Sequence, residues 1–147
     1  MITENLKAQI KLDEGVVYEI YKDHLGYPTF GVGHLILRTD KEYHYPEGEK
    51  VSKERVEECL EQDLQTACNE CEILYPWFDS APQEVKEILI NMMFNMGRPR
   101  LSKFKNFSRA LYEQDWKQAA VEGRDSRWHK QVTNRAERLM IRMENVA

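Results

Sequence analysis

The stretch Leu12–His34 gathers the residues of this chain best suited to chemistry. Acids stand at Glu14 and Asp23 on either side of a short apolar run, and Thr29-x-Gly31-x-Gly33-His34 follows. Two carboxyls act as an acid/base pair when their surroundings favour opposite protonation states. The surroundings expected here differ in that way. Glu14 falls at the end of a helix, where the dipole favours a protonated carboxyl. Asp23 falls in a turn, where water and backbone N–H groups favour the ionised form.

The elements that must hold these groups follow from local patterns. Thr3 is a capping residue for a helix over residues 3–13, with Leu6 and Ile10 on one face and Gly15 as its stop. Val17–Tyr21 is β-branched and aromatic, Lys22–Gly26 has turn chemistry, and Tyr27–Gly33 alternates, which predicts a β-hairpin. A second strand running through Gly33 would turn Thr29, Gly31 and Gly33 to one face and Phe30, Val32 and His34 to the other. The first face offers a hydroxyl and bare backbone for a ligand; the second is core. A plainer reading stays open, since acids near hairpin turns are common and glycines in strands also mark bulges. Glu19 faces solvent in this scheme, and His34 is a structural histidine paired with a buried acid.

Farther on, residues 38–50 read as a loop with a short edge strand. Ser52 caps a long helix whose apolar positions Val56, Leu60, Leu64, Ala67, Cys71 and Leu74 keep helical spacing. Ser80-Ala81-Pro82 opens a helix stopped by Gly97. Shorter helices follow over 107–113 and 115–122, and Asn134 with Glu137 forms a capping box for the last one. The predicted fold class is α+β: a small N-terminal sheet lobe (14–51), a linking helix (52–74) and a larger helical lobe (75–147), with helix 3–13 packed on that last lobe.

The chain has 147 residues, enough for one domain with a real core, and a formal charge of −4. Its basic residues are interleaved with acids, a poor electrostatic match for nucleic acid. No apolar run approaches the ~20 residues that span a bilayer. The N-terminal stretch has no signal-peptide h-region, so the protein is expected in the cytoplasm of the cell that makes it. Cys59, Cys68 and Cys71 lie in one helical pattern and read as buried thiols rather than a redox or zinc pair. Nothing suggests a cofactor or a metal.

Glu14-Gly15, Tyr21-Lys22-Asp23, Gly26-Tyr27 and Thr29-x-Gly31-x-Gly33-His34-Leu35 together resemble the signature of the phage-type lysozymes, glycoside hydrolase family 24. Glu61-Gln62-Asp63, Asn91 through Gly97, Trp116, Ser126-Arg127-Trp128 and Asn134-Arg135-Ala136 follow in the family's order, so the resemblance covers nearly the whole chain. It implies a lysozyme-like fold with a cleft between the lobes. The implied activity is cleavage of the β-1,4 bond between N-acetylmuramic acid and N-acetylglucosamine in peptidoglycan, by inversion. Carried over, Glu14 matches the general acid, Asp23 the second carboxylate and Thr29 the hydroxyl that helps hold the attacking water. Leu35 and Phe94 match saccharide-facing residues of opposite lobes. Arg135 matches an arginine paired with the catalytic Glu, and His34 and Asp63 a structural ion pair. Phe107 and Glu122 depart from the small or neutral polar cleft residues of the family, and no contact is carried over for them.

The biological reading is an endolysin: a monomer acting on peptidoglycan, with no nucleic acid partner and no membrane insertion, waiting in the host cytoplasm for a separate pore, a holin. A lytic transglycosylase and a non-catalytic wall-binding module compete with it. A water-holding pair at Asp23 and Thr29 argues against the first, and an intact acid at Glu14 against the second.

Overall fold

The computed structural model describes residues 2–147. Its elements are α1 (Glu4–Glu14), β1 (Val17–Lys22), β2 (Pro28–Gly31), β3 (His34–Leu35), α2 (Lys53–Leu74), α3 (Gln83–Met96), α4 (Arg98–Leu101), α5 (Lys105–Tyr112), α6 (Trp116–Arg124), α7 (Arg127–Gln131) and α8 (Thr133–Glu144). Helices and a three-stranded antiparallel sheet of order β1-β2-β3 make an α+β fold. The chain divides into two compact units at Thr66/Ala67, within α2.

In the first unit, the Thr3 hydroxyl accepts from Leu6 N at 3.0 Å to start α1. Gly15, at φ +78°, ends it by donating its N–H to Lys11 O. This helix belongs to the unit that holds the sheet. Ion pairs tie it to the first half of α2: Lys7 reaches Glu57 and Glu61 at 3.2 and 3.0 Å, and Lys11 reaches Glu57 at 3.0 Å.

The second strand is shorter than expected. β2 ends at Gly31, the chain turns at Val32–Gly33, and β3 returns antiparallel. Gly31 and Gly33 both have positive φ, +67° and +65°, so an extended strand cannot run through them. The expected glycine-lined face is therefore absent. A side chain at Gly31 would meet Val56 of α2, whereas one at Gly33 would meet Glu14. Residues 38–50 form a loop with a 3-10 helix, Lys41–His44, and an isolated bridge from Lys50 to Glu19.

In the second unit, α3 buries Val85, Ile88, Leu89, Met92, Met93 and Met96, which makes the methionine run core packing. Gly123 of α6 has no side chain, and the Met140 sulfur of α8 lies where one would stand. The expected capping box fails. Val132, without a side-chain cap, precedes α8. Glu137 instead turns to Arg124 at 2.9–3.2 Å and to His129 at 2.8 Å, and the guanidinium gives it charge-assisted hydrogen bonds. The three cysteines are free and buried, and burial pushes the Cys59 thiol up to about 11, so it stays protonated.

Candidate active site

The site is built on the sheet of the first unit. Glu14 closes α1, and the turn at Gly15 carries the chain directly into β1. Gly33 faces Glu14 at the β2–β3 turn, and no larger residue would leave the carboxyl this position. Asp23 follows β1. Its Oδ1 accepts from the N–H groups of Leu25 and Tyr27, both at 2.9 Å. Its own backbone N–H donates to Tyr27 O and its carbonyl accepts from Gly26 N, both at 2.9 Å. Two hydrogen bonds thus fix the side chain and two more its backbone, and Oδ2 lies outside them.

Thr29 of β2 is almost fully buried, at 3% exposure, and its Oγ1 donates to Tyr27 O at 2.9 Å. That bond commits the hydroxyl proton. What Oγ1 still offers is lone pairs, so it meets a water molecule as an acceptor. Leu35 pairs with Thr29 across β2–β3, and Tyr21 pairs with Thr29 across β1–β2. Opposed residues share a face, so these three form one row. Glu14, Tyr21, Asp23, Thr29, Gly33 and Leu35 line a single pocket of about 510 Å³, with exposed Leu25 and Tyr27 at its rim. Polar groups are few and convergent and the rest of the wall is apolar, which suits a sugar with hydroxyl edges and C–H faces.

His34 lies on the other face of the sheet, 6% exposed and stacked near Phe30 at 5.0 Å between ring centres. Its Nδ1 meets Asp63 at 2.7 Å and its Nε2 meets Asp40 at 2.8 Å. Asp40 was missed from the sequence. It sits in an irregular loop with no period to reveal it, and it also pairs with Arg55, which holds the buried Glu42 at 2.7 and 2.9 Å. Burial alone would lower the His34 value, but the hydrogen bonds and charges of Asp63 and Asp40 outweigh it and raise it.

Phe94 and Arg135 belong to the second unit. Phe94 is half-buried on α3, and Arg135 of α8 is 8% exposed with its Nε donating to Asn91 Oδ1 at 2.9 Å. Phe107 is buried against Phe104, and Glu122 accepts from Gln118 at 2.8 Å. Among the described residues, no cluster of three or more His, Cys, Asp or Glu is placed to hold a metal ion. Tyr21 had no assigned role; its place in the row follows only once the hairpin register is known.

A small antiparallel sheet carrying two carboxyls and a hydroxyl, followed by a long helix and a set of further helices, is an α+β fold of the lysozyme type. The chain belongs to the phage lysozyme family, whose model matches residues 11–145. It is similar to two Dictyostelium discoideum proteins named probable T4-type lysozyme. The first is 31% identical, over 95% of this chain and 93% of the relative. The second is 30% identical, over 97% and 95%. It is also 28% identical to the pre-baseplate central spike protein Gp5 of Enterobacteria phage T4, over 93% of this chain and 27% of that longer protein. The protein is accordingly a glycosidase of the lysozyme type, a hydrolase of the cell wall.

Proposed function

We propose that the protein hydrolyses the β-1,4 bond between N-acetylmuramic acid and N-acetylglucosamine in peptidoglycan, with inversion at the anomeric carbon. The observation that carries this reading is the grouping of Glu14, Asp23 and Thr29 about one pocket, with the Thr29 proton already given to Tyr27 O. Glu14 protonates the glycosidic oxygen, and the bond to the anomeric carbon breaks with its electron pair going to that oxygen. One water donates a hydrogen bond to Asp23 and another to Thr29 Oγ1. Both of its protons are then held by acceptors, and a lone pair is free to attack the opposite face of the sugar. Asp23 takes the proton that the water loses. Leu35 faces the saccharide from the sheet, and His34 with Asp63 supports the sheet from behind.

Mass spectrometry of the sugars released from purified peptidoglycan tests the reaction. Hydrolysis gives reducing ends that have gained a water. Anhydro ends would mean a transglycosylase, and the release of no sugar at all would mean a binding module.

For the biological role we favour an endolysin, monomeric and held in the host cytoplasm until a holin opens the inner membrane, with peptidoglycan as its partner and neither nucleic acid nor membrane insertion involved. Membership of the phage lysozyme family supports this. Expression alone in a Gram-negative host should be tolerated until that membrane is permeabilised; prompt lysis would contradict it. The relatives in Dictyostelium favour a second reading, the same chemistry in a setting other than an infected bacterium.

A further inference from the structure

Tyr21 is the member of the site that the proposed mechanism leaves unused. It stands in the row Tyr21–Thr29–Leu35 across the sheet, on the face that lines the pocket. It lies on β1, the strand that joins the turn after Glu14 to the turn at Asp23. Its ring is half-buried, so its direction is set by packing. Its hydroxyl makes no hydrogen bond among the described residues, although it faces a pocket flanked by two acids. Burial first, then the charge of Glu14, then that of Asp23 push the phenol above its ordinary value. It therefore remains a protonated donor across the working range of a carboxyl pair.

A donor held beside a carboxyl acts mainly on the ionised form. A hydrogen bond to a carboxylate is stronger than one to the neutral acid, so it strengthens as the acid gives up its proton. We propose that Tyr21 is a positioning residue for the reaction, whose phenolic O–H donates to the Glu14 carboxylate as it forms and so makes Glu14 a stronger acid in the transition state. This rests on the assignment of Glu14 as general acid. Glu14 is chosen over Asp23 as the acceptor because Asp23 must keep its basicity to take a proton from water, and a donor there would reduce it. Asp23, His24 and Tyr27 are the other titratable groups at the pocket, and all three are unchanged in the variant that tests the idea.

That variant is Tyr21→Phe, which keeps the ring and removes only the O–H. Rates on soluble uncross-linked glycan strands are measured across pH for wild type and variant, with thermal unfolding of both. Loss of a hydrogen bond to a charged group corresponds to a fall in kcat of roughly ten- to a hundredfold. KM should hold within about twofold, since the bond forms only when Glu14 is ionised and the productive complex carries it protonated. The alkaline limb of the rate profile, set by the proton on Glu14, should move to higher pH. An unchanged kcat and alkaline limb would overturn the role of Tyr21 while leaving the hydrolase intact. A joint change in kcat and KM with the limb unmoved would make Tyr21 merely structural. An inactive wild-type protein would overturn both this role and the function on which it rests.

Discussion

Gly33 stands against Glu14 so closely that a methyl group on Gly33 would lie 3.3 Å from Glu14 Oε1. The carboxyl at the end of α1 is thereby backed by main chain from the β2–β3 turn, two elements away in sequence. The turn favours glycine on two counts: φ is +65°, and a Cβ would press on the carboxyl and make it shift by a few tenths of an ångström.

Gly33→Ala should therefore cost stability and activity together. The left-handed backbone costs an L residue about 1–2 kcal/mol, and displacing the acid by a fraction of an ångström lowers the rate by roughly tenfold or more. Gly48→Ala is the control, because Gly48 has φ +91° but nothing within 4 Å. It should lose stability alone. Equal activity in the two variants, measured with unfolding midpoints, would show that the contact with Glu14 is unimportant.

Glu14→Gln should abolish wall hydrolysis and leave the fold intact. It removes the proton donor, a contribution of roughly 10²–10⁴-fold, and keeps the size and shape of the side chain. Turbidity assays on isolated walls, paired with circular dichroism, check both halves. Retention of more than about a tenth of the wild-type rate on that scale would reassign the acid.

The ion pairs of His34 predict a pH-dependent stability. The folded value of His34 is raised above its unfolded one, near 6.5. Its contribution is thus fully present below about pH 6.5 and is lost as pH rises through the folded value. Asp40 behaves oppositely. Burial would raise it, but the Leu37 N–H, His34 and Arg55 together lower it, so its contribution is lost as pH falls. Thermal unfolding from acid to mildly alkaline pH should show a decline as pH rises past about 6.5 in wild type and a flatter curve in His34→Asn. Parallel curves would place the titration elsewhere.

Much of this was legible in the sequence because it was local. Thr3, Gly15, Ser52 and Gly97 mark helix ends through bonds to neighbours a turn away, and the structure places them so. The positions of Glu14 and Asp23 could be read because one closes a helix and the other directly follows a strand. What stayed hidden depends on contacts between distant segments. The turn at Val32–Gly33 reads as alternation until positive φ at both glycines is seen. Glu137 looks like a capping partner for Asn134 until Arg124 and His129 are brought beside it. Asp40 and Tyr21 gain their meaning only from the register of the sheet and the packing behind it.

In the mechanism we propose, a water held by Asp23 and Thr29 attacks while Glu14 protonates the leaving oxygen. Early-time proton NMR of the product is its most direct test. An attack from the face opposite the leaving group gives the α-anomer at the new reducing end, before mutarotation mixes the two forms. The α-anomer should be the first product. The β-anomer appearing first, or a covalent glycosyl adduct trapped on Asp23, would contradict it.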